Sequence, residues 1–245
     1  MLLGGPYQDI AYRAIREATF IVAVQCTRAA PTCFCVSMNA GPSAVKGFDL
    51  LLTEVVDDRR HGFLAEPGNE TADAILSDAG ASDASQGEIT RTQREVARAA
   101  ADQERWVRAD GLHELLYRSY ESRRWDDVAA RCLACGNCTQ ICPTCFCTTV
   151  RDHSLVDGNE AERERIWDTC FALEYSYIHG GSIRTTIRAR YRNWLMHKLA
   201  TWIDQFGTSG CVGCGRCITW CPAGIDLTDE VHALWRLEEE RHGRN

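Results

Sequence analysis

The chain has 245 residues, 14 of them cysteine, and a formal net charge of −7 at pH 7. This length suits one large domain or two small ones. The acidic balance argues against a nucleic-acid partner, because phosphate binding needs a dense basic face. The longest apolar run, residues 20–24, cannot span a bilayer, and the N-terminus lacks the features of a signal peptide. We therefore expect two domains in a cytoplasmic protein whose thiols stay reduced.

The N-terminal part of the chain, residues 1–76, predicts a partial α/β domain. Asp9 can cap a short helix whose apolar positions recur at helical spacing. Residues 19–24 are a β-branched run, which is typical of a strand buried on both faces. Residues 48–56 and 61–66 predict two further strands joined by a tight turn. The sheet that these strands form is expected to be incomplete.

The composition changes after this first domain. Residues 77–89 are rich in Ser, Ala, Asp and Gly and carry almost nothing to bury, which predicts a flexible linker. Thr90 and Thr92 are both candidate N-caps for connector helices over residues 90–128. The second domain is then expected to comprise residues 129–245.

The second domain contains two copies of one cysteine motif. The spacing is C-x2-C-x2-C-x3-C followed by proline, which is typical of bacterial 4Fe-4S sites. The first copy contains Cys132, Cys135, Cys138 and Cys142, and the second contains Cys211, Cys214, Cys217 and Cys221. A repeated motif is poorly explained by chance, and it predicts two clusters.

The fourth cysteine of each motif is expected to serve the other cluster. Three cysteines that lie two residues apart can wrap one cube, whereas in two-cluster proteins the fourth ligates the second cube. Cluster 1 is therefore predicted to be held by Cys132, Cys135, Cys138 and Cys221, and cluster 2 by Cys211, Cys214, Cys217 and Cys142. Gly136, Gly213 and Gly215 would let the backbone approach closely and point amide N–H groups at sulfur.

Other uses of these cysteines fit the pattern less well. Zinc sites favour paired C-x2-C units, often completed by histidine, and do not need the final x3-Cys-Pro. A disulfide framework suits short secreted chains with a higher content than 14 cysteines in 245 residues. A Gly-rich nucleotide fingerprint is missing from the sequence, so no nucleotide or flavin site is predicted.

The segment between the motifs is predicted to be mainly helical. Apolar residues recur at helical spacing over residues 183–206, and Gly207 is a stop signal. The predicted fold class is therefore α+β, with the partial α/β unit followed by a mainly helical two-cluster ferredoxin domain. Arg184, Arg188 and Arg192 form a basic stripe, which is either a solvated face or a docking surface for an acidic partner.

The sequence resembles a known family, the beta subunits of cytoplasmic sulfhydrogenases, and their relatives among the iron–sulfur subunits of anaerobic sulfite reductase. The resemblance is carried by residues 19–26, 33–35, 48–54, 132–147, 167–170, 179–181, 190–193 and 211–217. It implies an iron–sulfur subunit of an oxidoreductase complex. Such a subunit passes electrons between a flavin subunit that handles NAD(P)H and either a nickel–iron hydrogenase or a siroheme reductase, and it is not itself the catalyst.

The resemblance also bears on Cys26, Cys33 and Cys35. Family members have a longer N-terminus with a further cysteine, so the start of this chain is expected to be truncated or misassigned. The comparison implies that the three cysteines are ligands of an incomplete third cluster, and the alternative is that they are buried free thiols.

Two functional classes stay open at this point, namely a subunit for electron transfer and a cluster-bearing sensor or structural module. Two adjacent clusters favour electron transfer, because a single cluster suffices for sensing. Cys145, Cys147 and Cys170 are not assigned, since they could line a cluster, replace a ligand or act as redox thiols.

Overall fold

The structure is a computed structural model that describes residues 3–4, 6–57, 60–156 and 158–243. The chain divides into two units, Met1–Pro31 with Asn39–Glu104 and Thr32–Met38 with Arg105–Asn245. Helices and small sheets both occur, so the fold class is α+β, as predicted. Within the described ranges, no helix is long and apolar enough to cross a membrane.

The first unit is built on a three-stranded sheet. In chain order its elements are α1 (Ile10–Glu17), β1 (Val22–Gln25), β2 (Leu50–Asp57), β3 (Arg60–Pro67), α2 (Glu70–Asp78) and α3 (Gln86–Ala101). Strand β2 pairs in parallel with β1 and antiparallel with β3. Asp9 caps α1 as predicted, since its Oδ1 accepts a hydrogen bond from Tyr12 N at 2.9 Å. The turn predicted between β2 and β3 includes residues 58–59, which lie outside the described residues.

The expectation that the first strand is buried on both faces is wrong. Val22 and Val24 of β1 are 47% and 59% exposed. Successive side chains of a strand point to opposite faces, and the face of β1 with Val22 and Val24 is exposed whereas the face with Ala23 and Gln25 is half-buried. The buried residues Leu51 and Val55 belong instead to the central strand β2.

The N-cap predicted for the connector helix is also wrong. Ser85 caps α3 in a capping box, in which Glu88 N donates to Ser85 Oγ at 3.3 Å and Ser85 N donates to Glu88 Oε2 at 2.9 Å. Thr92 is buried inside the helix and donates to the carbonyl of Ile89. The range 77–89 therefore includes the end of α2 and the start of α3.

The second unit carries both cysteine motifs. Its helices are α4 (Leu112–Arg118), α5 (Arg124–Ala129), α6 (Asn137–Gln140), α7 (Ile187–Met196), α8 (Trp202–Phe206), α9 (Arg216–Thr219) and α10 (Leu227–His242). Its strands are β4 (Thr148–Ser154), β5 (Ala161–Trp167), β6 (Tyr177–Ile178) and β7 (Gly181–Ser182). A 3-10 turn (Glu174–Ser176) precedes β6, and a π-helical turn (His197–Thr201) joins α7 to α8.

The segment between the motifs is less helical than expected. Strands β4 and β5 form an antiparallel hairpin in which Thr148 lies opposite Trp167. The side chains of this hairpin are mostly exposed, and Trp167 itself is 68% exposed. With so little apolar surface to bury, the hairpin leaves a weak hydrophobic pattern in the sequence. The helical prediction holds for α7 and α8, and Gly207 ends α8 with φ 70°.

A hydrophobic core supports the cysteine motifs from one side. Trp125 of α5, Leu195 of α7 and Leu234 of α10 are almost fully buried there, together with Phe34. The thiols of both motifs pack against this core. Glu230 of α10 is 1% exposed and accepts hydrogen bonds from two arginines, Arg124 at 2.6 Å and Arg131 at 2.8 Å. These contacts fix α10 where it follows the second motif.

Candidate iron–sulfur centre

The two motif loops have the same backbone geometry. The third residue of each motif has a positive φ, 52° at Ala134 and 65° at Gly213. In each loop the amide of that residue donates to the first sulfur at 3.4 Å, from Ala134 N to Cys132 Sγ and from Gly213 N to Cys211 Sγ. The short helices α6 and α9 follow at the same offset and contact each other. The backbone of each loop therefore points an amide N–H group at the first sulfur of its motif.

The structure brings the fourth cysteine of the second motif to the first motif. One pocket is lined by Cys132, Cys135, Cys138 and Cys221, with Phe171, Tyr191, Trp194, Ile225 and Leu227 as apolar walls. Cys221 Sγ accepts a hydrogen bond from Ile225 N at 3.3 Å, which fixes its position. This is the grouping predicted for cluster 1.

The fourth cysteine of the first motif lies with the second motif. Burial raises the pKa of Cys211 to about 11 and that of Cys217 to about 12. The charges of Cys142 and Cys214 act on both thiols in the same direction. These four residues form the grouping predicted for cluster 2, and Cys217 also lines the first pocket. The two groups are therefore immediate neighbours.

The donor chemistry of the two groups fits 4Fe-4S clusters. Each group offers four thiols, and the described lining of the first pocket contains no histidine or carboxylate. Buried thiols with raised pKa values become thiolates only beside a cation, and the iron of a cluster supplies that charge. Among the described residues, no three His, Cys, Asp or Glu side chains are arranged to hold a single metal ion. All-sulfur ligation by four thiols is the donor set that 4Fe-4S clusters take.

Cys142 has a different environment from the other thiols. A hydrogen bond from Cys145 and the nearby charge of Lys198 lower the pKa of Cys142 to about 4, although burial opposes this. Thr144 Oγ1 lies 3.1 Å from the same sulfur. The sequence gives no signal for the lysine, because one cation between apolar helical positions does not indicate burial.

The three unassigned cysteines lie near one another and near Cys142 of the second thiol group. Cys170 and Tyr175 hydrogen-bond the sulfur of Cys147 and, with Lys198, lower its pKa to about 6. Cys170 is buried, and its hydrogen bond to Cys147 raises its pKa. Cys145 hydrogen-bonds Cys142. Cys147 is therefore the reactive thiol of this set.

We expect Cys147 to react as a thiolate at neutral pH. Its alkylation rate should be constant above pH 7 and should fall below about pH 6, because protonation then removes the nucleophile. Labelling of the cluster-loaded protein with iodoacetamide, followed by peptide mass spectrometry, measures this profile. Tyr175→Phe removes one donor and should move the midpoint to higher pH. A wild-type midpoint near 8.5, roughly the ordinary value for cysteine, would contradict the assignment.

Cys33 and Cys35 lie against the second motif. Phe34 N donates to Gly213 O at 2.8 Å, and Cys33 Sγ lies 3.8 Å from Cys214 O. Gly213 and Gly215 are needed for this approach, since a Cβ at Gly213 would lie 2.6 Å from Cys35 Cα. Residues 31–35 have the same sequence as residues 143–147, Pro-Thr-Cys-Phe-Cys, but a repeat does not indicate where a segment packs.

Cys26 lies in the first unit, whereas Cys33 and Cys35 lie in the second. A third cluster held by these three cysteines stays a prediction.

Two of the three arginines of the basic stripe are paired within the chain. Arg188 pairs with Asp126 at 3.0 Å and with Glu121 at 3.2 Å, and Arg192 pairs with Glu121 at 3.2 Å. The side chains of Arg188 and Arg192 are only 27% and 14% exposed. These contacts tie α7 to the α4–α5 region and leave little of the Arg188 and Arg192 side chains for a partner.

Comparisons with known proteins agree with the cysteine groups. A family model for the 4Fe-4S dicluster domain matches residues 131–225. The chain is 32% identical over 235 residues to sulfhydrogenase 2 subunit beta of Pyrococcus furiosus. That match covers 91% of this chain and 66% of the relative, so the chain spans just under two thirds of the relative's length. No solved structure matches the chain.

Proposed function

The chain belongs to the 4Fe-4S dicluster proteins related to the sulfhydrogenase beta subunit, and from this premise we propose that it is an electron-transfer subunit. It carries two clusters, held by the two cross-motif groups of thiols. One neighbour is a flavin subunit that handles NAD(P)H, and the other is a hydrogenase or a sulfur or sulfite reductase. The assembly works in the cytoplasm, and the chain converts no substrate alone.

The observation that carries this proposal is the adjacency of the two thiol groups. Cys217 belongs to the second group and also lines the pocket of the first. Each motif supplies a ligand to the other group, so neither group is complete without both motifs. Because the two groups are adjacent and each takes ligands from both motifs, they form one path for electrons. A sensor with a single cluster does not need such a path.

The protein's own residues prepare this path. The buried side chains of Phe171, Tyr191 and Trp194 line the first group, and the amides of Ala134 and Gly213 donate to sulfur. Each bound cluster would accept and release single electrons. Hydrogen bonds to sulfur and burial are the means by which the protein adjusts the potential at which this happens.

Reconstitution of the complex tests the proposal. Pyridine-nucleotide oxidation should be coupled to the reductase or hydrogenase partner when the chain is present, and coupling should be lost without it or with Cys217→Ser. Val150→Ser, on the exposed β4 strand, is the control and should transfer electrons normally. Equal transfer without the chain, or reduction of sulfite, polysulfide or protons by the isolated chain, would replace the proposal with a sensory or enzymatic role.

A further inference from the structure

The π-helical turn between α7 and α8 places a buried cation beside the second thiol group. Lys198 is 3% exposed. Its Nζ lies 3.1 Å from Cys142 Sγ, 3.2 Å from Thr144 Oγ1 and 3.3 Å from Gly210 O. Single π-helical turns occur frequently at functional sites. The ammonium therefore contacts a predicted cluster ligand directly.

The backbone around Lys198 holds the ammonium in this position. The carbonyl of Lys198 accepts hydrogen bonds from Gly210 N at 2.7 Å and from Ser209 Oγ at 3.1 Å. Thr144 Oγ1 donates to Gly210 O at 2.7 Å. A Cβ at Gly210 would lie 2.8 Å from the ring of Trp202, so the loop approaches α8 as closely as glycine allows. Lys198 is thus bound at both its main chain and its side chain by the loop that leads into the second motif.

A buried ammonium is unfavourable unless an anion compensates it. Cys142 Sγ, 3.1 Å from Nζ, is a predicted cluster ligand, and a cysteine that binds a cluster does so as a thiolate. With Thr144 Oγ1 and Gly210 O it provides three acceptors, which match the three N–H donors of an ammonium. The compensating partner of this buried charge is therefore a sulfur of the second thiol group.

The first thiol group has a different electrostatic environment. Apart from the thiols, the Tyr191 hydroxyl and the Asn137 amide, the described side chains that line its pocket are apolar or aromatic. The nearest arginine acting on it is Arg190, whose Nη1 donates to the carbonyl of Phe171 at 2.7 Å. Arg190 is also only partly buried, so solvent weakens its field. A cation in direct contact with a ligand sulfur is found at the second group and not in the described surroundings of the first.

We infer that Lys198 raises the reduction potential of the cluster held by Cys142, Cys211, Cys214 and Cys217 above that of its neighbour. This rests on the proposed function. Reduction adds one negative charge to a cluster, and a fixed positive charge at a ligand sulfur favours the reduced form. Electrons entering the chain therefore collect on the Lys198 side, which gives the path a direction. Lys198 acts through the ligand Cys142, because it holds a positive charge beside the sulfur of that residue.

The test is a redox titration of the cluster-loaded full-length chain, followed by EPR. Lys198→Met keeps the length of the side chain and removes its charge. It should lower the potential of the Cys142 cluster by about 59 mV or more, at least a tenfold change in the equilibrium for one electron. The other cluster should keep its potential. Lys198→Arg, which retains the charge, should stay close to wild type.

Lys46→Met is the matched control, because Lys46 is an exposed lysine in the first unit and its loss changes the net charge equally. It should leave both potentials unchanged. If Lys198→Met loads poorly, Thr144→Val removes one anchor of the ammonium and should still lower the potential of the same cluster.

The outcomes separate this inference from the proposed function. The inference alone is overturned if Lys198→Met has full iron content and unchanged reduction potentials. It is also overturned if Lys198→Met shifts the potentials of both clusters equally, or if Lys46→Met shifts the potential of the Cys142 cluster as much as Lys198→Met does. If Lys198→Met loads poorly, an unchanged potential of the Cys142 cluster in Thr144→Val also overturns the inference. Wild-type protein without labile sulfide or a reducible cluster signal overturns the proposed function, whatever the lysine variants do.

Discussion

Cys142→Ser should remove the cluster that is bound mainly by the other motif. Iron should fall from about eight to about four atoms per chain, and acid-labile sulfide should fall in parallel, because each 4Fe-4S cluster carries four of each. The remaining signal should be that of the group with Cys132, Cys135 and Cys138. The structure supports this expectation because Cys142 acts electrostatically on Cys211 and Cys217, which lie far away in the sequence.

The reciprocal variant gives the matched control. Cys221→Ser should remove the cluster at the first motif and leave the second, since Cys221 lines the first pocket. EPR of the reduced variants, compared with variants of Cys135 and Cys214, assigns each signal to its motif. Loss of the cluster that lies beside the substituted residue in sequence would show that each motif ligates its own cluster. Stoichiometric zinc without sulfide in the wild type would show that the groups are not iron–sulfur sites.

Gly215→Ala should disrupt the second motif through its backbone. Gly215 has φ +69°, and a Cβ there would lie 2.1 Å from the carbonyl oxygen of Thr32. Backbone cannot move aside as a flexible side chain does, so segment 32–38 would have to leave the motif. We expect the free energy of unfolding to fall by about 3 kcal/mol or more. Chemical denaturation followed by circular dichroism measures this change, and iron content should fall with it.

Gly224→Ala is the control that measures the effect of a positive φ without a steric clash. Gly224 has φ +61° and also lies close to the second motif, but nothing lies within 4 Å of a Cβ placed there. Gly224→Ala should therefore lower the free energy of unfolding only by the strain of the left-handed region, about 1–2 kcal/mol. If Gly215→Ala and Gly224→Ala lower the free energy of unfolding equally, the contact between Thr32 and Gly215 does not stabilise the motif.

Local signals in the sequence predicted much of the fold and most of the candidate centre. The cap at Asp9, the paired strands β2 and β3 and the stop at Gly207 were all predicted, because each depends on a few neighbouring residues. The spacing of the eight motif cysteines is also a local signal, and it predicts three ligands on one loop. That these eight residues ligate clusters stays a prediction. Ser85 shows that such a signal can be overlooked, since its capping box lies inside a segment whose composition predicts a linker.

Contacts between distant residues, by contrast, could not be predicted from spacing. The exposure of one face of β1 depends on what packs against the sheet, and the pairing of Arg188 depends on where Asp126 lies.

The sequence by itself determined the spacing of the motif cysteines and the offset at which each motif repeats. Only the tertiary structure decided that residues 32–38 pack against the second motif and that Lys198 is buried against Cys142. The physical reason is that ligand spacing within a loop is set by covalent geometry. The burial of a charge is set instead by which distant segments surround it, and these are specified only by the packing of the whole unit.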